Sequence, residues 1–452
     1  MKTEFDVIIV GLGPVGATLA ALLDLCDVSV LVLEREADVY PLPRAVHFDD
    51  EVMRVFQTIG IADQTEDVTV VNKGMRFIDT DGQILLDWPR PQEIGPNGWY
   101  PSYRFNQPIL ERLLRSKLDT CSYVDVRLNS EVTDVVSGES NVRCSYRDRI
   151  TGAQRTACAA YVVGCDGANS IVREKMAVGW EDLGFEERWL VVDVLLNVEK
   201  PELGEFTIQH CDPARPSTFA HGPGMRRRWE FTLFEEEDSE VAVGDEFALQ
   251  LLSKWLKPGE AEIERRAVYT FGSKLAHDWR QGRMLVAGDA AHLMPPFMGQ
   301  GMCTGIRDAS NLAWKLAAVI KGETEEQLLN TYSSERRPHA QTYIETAIKL
   351  GQLMNSYSRD AASGGKMESL VVRLGPGLGD MNDPHRGRLF PQPRLDDGRL
   401  MDDVVGYQSV TVSLSGDGDL DANDHPELKL ILNERSLTSV TIRPDRYTQA
   451  AS

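Results

Sequence analysis

The 452-residue sequence predicts an α/β fold, with a mixed or antiparallel sheet inserted into a parallel one. Three stretches predict it, each a short apolar run ending in a glycine-bearing turn before a helical pattern. Phe5 to Val10 runs into Gly11-Leu12-Gly13-Pro14-Val15-Gly16 and the helical Ala17 to Leu25. Tyr161 to Val163 runs into Gly164-Cys165-Asp166-Gly167-Ala168-Asn169-Ser170 and a helix start. Arg283 to Ala287 runs into Gly288-Asp289, then through Pro295, Pro296, Gly299, Gln300 and Gly301 to a helix expected over 304–320. Such turns cradle anions, because free backbone N–H groups and a positive helix end face the ligand.

The first turn is a G-x-G-x-x-G between strand and helix. Gly11 permits the tight turn, Gly13 lets a pyrophosphate approach the backbone, and Gly16 lets helix and strand pack. A second strand, Val28 to Leu33, ends at Glu34, whose carboxylate suits a ribose diol. Arg44, in Pro41-Leu42-Pro43-Arg44-Ala45, is a cation within reach of phosphate. Each later Asp-Gly or Gly-Asp alone is an ordinary turn. Together they imply a ligand larger than one mononucleotide, which favours FAD over NAD.

Composition excludes other classes. A net charge of −21 repels nucleic acid. No apolar run approaches the roughly 20 residues of a bilayer span, and Met1-Lys2-Thr3 leads straight into a strand rather than a signal peptide. The 7 cysteines are scattered without a Cys-x-x-Cys pair, as expected of thiols in a reducing cytoplasm. No metal-ligand spacing is present.

The trio, with Gly288-Asp289-Ala290-Ala291-His292, Pro295 to Ala309 and Asn311-Leu312-Ala313-Trp314-Lys315-Leu316, resembles the class A FAD-dependent aromatic hydroxylases. Within them it looks most like the 3-(3-hydroxyphenyl)propionate hydroxylases, over residues 5 to about 350. The resemblance implies non-covalent FAD, NADH or NADPH as co-substrate, and O2. It also implies a small aromatic, phenolic substrate hydroxylated through a flavin hydroperoxide. The absence of a second G-x-G-x-x-G agrees with a family that has no separate nicotinamide domain. By the resemblance, Glu34 holds the adenosine ribose of FAD, and Gly11, Gly13, Pro14, Val15, Gly16 and Arg35 are cofactor-binding candidates around it. Arg44 and Gln107 face the pyrophosphate or ribityl side, and Asp289 lies near the ribityl chain or pyrophosphate. Asp166 is the Asp-Gly acid associated with both FAD and pyridine nucleotide, and Ala45, Val132, Gly167 and Gly288 are further cofactor-binding candidates. Pro296, Gly299, Gln300, Gly301 and Met302 line the isoalloxazine, and Cys303 stands where many relatives carry Asn.

A phenol of pKa near 10 attacks poorly until deprotonated. Asp49 is the position matched to the family's substrate-reaching acid, with His47 beside it; the plain alternatives are a helix cap and a structural histidine. Residues 186–272 read as strands at Trp189 to Val198, Glu205 to His210, Arg227 to Phe234 and Ala267 to Phe271, a half-exposed sheet forming the substrate wall. Gly244 to Lys257 reads as a helix joining them. His221, Trp229, Tyr269, Pro295 and Pro296 are the candidate lining, each also compatible with core or surface. Arg226-Arg227-Arg228 either draws a carboxylate inward or, as the simpler expectation, forms a solvated strand edge.

The expected organisation is FAD-binding segments at 1–74, 105–184 and 276–355, substrate-domain segments at 75–104 and 185–275, and a C-terminal region at 356–452. In that last region Asp360 to Gly365 reads as a polar loop. Gly387 to Pro393 and Val440 to Tyr447 resemble parts of the family's thioredoxin-like domain. The space between them is too short for that fold, so a pared-down remnant that packs on the body or contributes to a homodimer is expected. Alternatives to a phenol hydroxylase are a monooxygenase of a heteroaromatic or polyketide ring, an FAD reductase that inserts no oxygen, and a flavin-binding sensor without turnover.

Overall fold

In the computed structural model, which describes residues 3–42, 44–356, 365–366 and 370–452, a parallel sheet carries the body. Met284–Val286, Gln154–Gly164, Phe5–Val10, Val30–Leu33 and Val124–Arg127 lie side by side in that order, all parallel. Ser130–Ser137 and Val142–Asp148 extend Gln154–Gly164 as an antiparallel wing. The central strands are continuous runs of Val, Ile and Leu because helices and the wing cover both faces. Helix Pro14–Asp24 packs against Gly301–Ile320 and Gln107–Leu118. The third helix thus starts at Gly301, three residues before its expected start.

A nine-stranded sheet stands beside the body. Its long members, Trp180–Leu196, Arg226–Leu233 and Ala261–Ala276, are antiparallel. Thr207–His210 pairs parallel with Gly74–Ile78, which makes the sheet mixed. His292–Leu293, just past the Gly288-Asp289 turn, pairs with Ala261–Ala276 and ties the two sheets together. Side chains alternate between the faces. Leu190, Val192, Val194, Phe219, Trp229 and Phe231 pack on helix Asp245–Leu252. Trp189, Asp193 and Arg228 lie on the opposite face, and the Arg228 guanidinium donates to the Arg44 carbonyl (2.7 Å). The sheet is buried at its centre, while Ala261–Ala276 and the start of Trp180–Leu196 stay half-exposed as expected from the sequence. The helix read over 244–257 ends early, at Leu252. The α/β class with an inserted mixed sheet holds.

The C-terminal region forms a four-stranded sheet, Leu420–Asp421, Val410–Ser413, Ser439–Ile442 and Thr448–Ala451, with helices Met401–Val405 and Pro426–Glu434 and a core of its own. Of the polar stretch at 360–365, all but Gly365 lies outside the described residues. Among the described residues no helix is long and apolar enough to cross a membrane.

Buried ions fasten this region to the body. Arg54 donates to Asp402 through Nε (2.9 Å) and Nη2 (3.0 Å). Glu335 accepts from Lys315 (2.7 Å), Asn311 (3.1 Å) and Arg443 (2.8 Å). Burial raises the Glu335 pKa, but Lys315 and Arg443 outweigh it and bring it to about 2. Burial lowers Lys315 to about 8 against the pull of Glu335. Glu335→Gln keeps the size and removes the charge, leaving two buried cations short of a partner. We expect a loss of about 3–5 kcal/mol in denaturant unfolding, and a loss below about 1 kcal/mol would show the cluster to be dispensable.

Candidate functional site

The three turns lie at the carboxyl ends of adjacent parallel strands, where open α/β sheets bind ligands. They meet at backbone contact. A Cβ on Gly11 (φ +99°) would fall 2.5 Å from the Cys165 carbonyl oxygen and 3.1 Å from the Asp166 Cα. One on Gly305 would fall 2.6 Å from Val15 Cγ2 and 3.0 Å from the Gly288 Cα. Gly13 is different: a Cβ there meets nothing within 4 Å. It opens helix Pro14–Asp24 without a side-chain cap, so the first amides face open space. This uncapped cradle fits an FAD pyrophosphate.

Around it, Glu34 accepts from Leu12 N and Glu36 N (both 2.8 Å), and each oxygen keeps a lone pair for a ribose hydroxyl. Arg35 is exposed and pairs with Glu36 (3.2 Å). Gln107 Oε1 accepts from Arg44 N (2.9 Å) and Ala45 N (2.7 Å), which fixes that loop. The Arg44 guanidinium lies over the Tyr40 ring at 4.9 Å. Asp166 caps the next helix through Ile171 N (2.8 Å), beside the half-buried Gly167. Arg173 bridges the second and third turns through the carbonyls of Ala168 (2.8 Å) and Ala290 (2.9 Å). Asp289 stays open to solvent on one side, while the enclosing protein lifts its pKa against His292 and Arg44. Val132 is half-buried on the wing strand Ser130–Ser137, packed against the body core.

Asp308, which the sequence did not single out, locks the third turn. It accepts from Gly288 N (3.1 Å), His292 Nε2 (2.7 Å) and Arg336 Nε (2.9 Å). Burial raises its pKa, and His292 and Arg336 overcome that and hold it low. The available signal was a carboxylate alone of its kind in the helical pattern over 304–320.

The segment from Pro295 to Met302 runs between body and second sheet. Pro295 is buried and Pro296 half-buried. Gly299 (φ +64°) sits against His47, whose Cβ is 3.0 Å from where a Cβ would stand. His47 Nδ1 donates to the Gly299 carbonyl (3.2 Å) and Nε2 accepts from Ser102 (2.7 Å), the tautomer being assigned from these partners. Burial, then Arg104, pushes its pKa to about 3. Asp49 caps helix Asp50–Thr58 through Val52 N (3.2 Å) and accepts from Gln300 (3.1 Å) and Arg307 (2.5 Å). Burial raises its pKa, but Arg307 outweighs this and lowers it. Arg307, also missed, donates to Gln300 Oε1 (3.0 Å) and Glu51 Oε2 (2.5 Å) as well. Cys303 is buried and directs its thiol at the carbonyls of Gly299 (3.7 Å) and His47 (3.8 Å). Gly301 and Met302 open the following helix, which has no side-chain cap.

Across from this segment the wall grades from apolar to charged. Phe297 meets Phe185 and Trp189 edge-on, with ring centroids 5.8 Å apart in each pair. Further along, Arg228 pairs with Asp193 (2.6 Å), and Arg265 joins them (3.4 Å). The arginine run is therefore no solvated edge: its strand lies inside the sheet and Arg228 is buried. Tyr269 stacks on Phe271 (5.8 Å) under the Arg265 guanidinium (4.9 Å). His221 lines a pocket of about 360 Å³ with Val46, Phe105, Asn106 and Arg227. Burial, then Arg227, brings the His221 pKa to about 4. Trp229 is not in the wall: it packs on Phe219 (5.1 Å) and Trp255 (5.9 Å) on the sheet's far face, one residue out of phase with Arg228. Among the described residues no three His, Cys, Asp or Glu cluster as metal ligands.

The model of the FAD binding domain family matches residues 4–347. The chain is similar to a probable NADH-specific resorcinol 4-hydroxylase of Rhodococcus jostii (strain RHA1), 37% identical over 91% of this chain and 79% of the relative. It is 36% identical to a 3-(3-hydroxy-phenyl)propionate/3-hydroxycinnamic acid hydroxylase of Mycobacterium avium (strain 104), over 89% of this chain and 75% of the relative. Aklavinone-11 hydroxylase, solved with FAD and aklavinone, shares the fold, with a TM-score of 0.83 at 21% identity over 100% of this chain and 96% of that one. The chain belongs to the FAD-binding class A flavoprotein monooxygenases, as an FAD-dependent aromatic hydroxylase.

Proposed function

We propose that this hydroxylase takes hydride from NADH and acts on a phenolic ring of the size of resorcinol or 3-(3-hydroxyphenyl)propionate. One observation carries the reading: three strand-end turns converge on one uncapped cradle, and the 295–302 segment leads from it to the wall of the second sheet. FAD, when bound, supplies hydride acceptance and oxygen activation. The chain supplies placement. The Gly13 cradle and Arg44 take the pyrophosphate, Glu34 the ribose, and Asp166 and Asp289 the polar chain between. The uncapped start of helix Gly301–Ile320 offers N–H groups and a positive helix end to negative charge developing on the ring system. Tyr269, His221 and Pro295–Pro296 border the aromatic substrate, and the apolar Phe297–Trp189 end keeps water out. A reducing cytoplasm suits the cysteines, all of them free.

His47 and Asp49 do not carry the proton in this reading. Both ring nitrogens of His47 are engaged and Asp49 is held ionised by Arg307, so we assign them to shaping the loop. The neighbouring carboxyl that titrates near neutrality is Asp50. Burial, then Asp49, pushes it up to about 7, while Asn97 donates to it (3.0 Å).

Three outcomes are expected. Gly13→Ala places a methyl in open space at a backbone conformation any residue adopts, so the apoprotein should melt as the parent does. FAD should bind roughly tenfold or more weakly in a fluorescence titration; unchanged affinity would remove the pyrophosphate from this cradle. Asp50 keeps its proton in the folded chain while the unfolded chain loses its own near 3.8. The folded state is therefore disfavoured progressively from about pH 4 to 7, and fully above. Asp50→Asn should then match the parent's melting temperature at pH 4 and exceed it at pH 8; equal values at both would refute the shift. Finally, with NADH and labelled O2, resorcinol or 3-(3-hydroxyphenyl)propionate should accelerate NADH oxidation and gain one oxygen. Acceleration that yields only peroxide with both compounds would reject this substrate class.

A further inference from the structure

A chain of side chains runs from the C-terminal region to the loop at 299–301. Tyr447 is buried in the turn between strands Ser439–Ile442 and Thr448–Ala451. Its hydroxyl donates to Glu51 Oε1 (2.7 Å). The other Glu51 oxygen accepts from Arg307 Nε (2.5 Å). The remaining Arg307 nitrogens donate to Gln300 Oε1 (3.0 Å) and Asp49 Oδ2 (2.5 Å), and Gln300 Nε2 donates to the same Asp49 oxygen (3.1 Å). Every nitrogen of the guanidinium is committed, and Tyr343 lies over it at 5.3 Å.

Gln300 stands between two glycines, one of them in the left-handed region. Such a backbone does not hold its own conformation well, so the side chain of Gln300 must. We infer that Tyr447 is a positioning residue: through Glu51 and Arg307 it fixes Gln300, and with it the geometry of the 299–301 loop. This rests on the reading that the loop faces the flavin. The physical reason is a balance. Arg307 is shared between two carboxylates, and the Tyr447 hydroxyl satisfies the outward oxygen of one of them. Without it a half-buried charged oxygen loses that donor. Glu51 then turns both oxygens to the guanidinium and draws it away from Asp49 and Gln300.

The test uses the full chain loaded with FAD. Tyr447→Phe removes one oxygen atom and no bulk. Amide hydrogen exchange over 299–303 should quicken roughly three- to tenfold, and the visible flavin band should shift. Glu51→Gln should act in the same direction and serves if the first variant folds poorly. Tyr407→Phe is the control: its hydroxyl also reaches helix Gly301–Ile320, donating to the Ser310 carbonyl (2.6 Å), but has no link to Gln300. It should leave the exchange over 299–303 and the flavin band unchanged. The inference is overturned if Tyr447→Phe and Glu51→Gln exchange and absorb as the parent does, or if Tyr407→Phe disturbs the loop equally. Gln300→Ala separates the two levels. If it shifts the flavin band while Tyr447→Phe does not, the loop reading stands and the inference fails. If it leaves the band untouched, the loop reading itself fails.

Discussion

Backbone-to-backbone contact among three turns is the constraint on which the molecule depends. At Gly11 and Gly305 the next segment lies where a side chain would begin. Separate these turns by the width of a methyl group and they no longer converge at the strand ends. Glycine permits the approach but does not enforce it. Enforcement comes from Asp308, buried at a desolvation cost of several kcal/mol that is offset by a backbone amide, a histidine and an arginine, all directed at the Gly288 turn.

The loop after that turn is held from two sides. His292–Leu293 is paired into the second sheet, and helix Gly301–Ile320 is packed into the body. Only the residues between can adapt, and they face a wall that is aromatic at one end and ionic at the other. At the ionic end Asp193 pairs with both Arg228 (2.6 Å) and Arg265 (3.4 Å).

The strands, turns and helices of the body were legible because each is local: an apolar run, a glycine turn, a helical period. The class of the second sheet was legible from alternation. What was not legible depends on distant partners. The protonation of His47 is set by burial and then Arg104, and that of Asp49 by Arg307, far along the chain. Three consecutive arginines looked like a surface because nothing local says that the strand lies inside a sheet. Trp229 is a different failure: it alternates with Arg228, so pointing one of them at the body already sends the other away. The architecture of the C-terminal region was not legible because its core residues are few and spread over short strands, and its ties to the body include buried ion pairs with distant residues.

Those ties have an asymmetry. The body contributes a cation at Arg54 and an anion at Glu335; the C-terminal region answers with Asp402 at one point and Arg443 at the other. Polarity reverses across a single interface, like a two-pin plug that enters one way round. A C-terminal unit recombined from a relative with the opposite arrangement would bury like charges at both points. The two pieces must therefore change together over descent, and shuffling one of them alone is blocked by electrostatics rather than by shape.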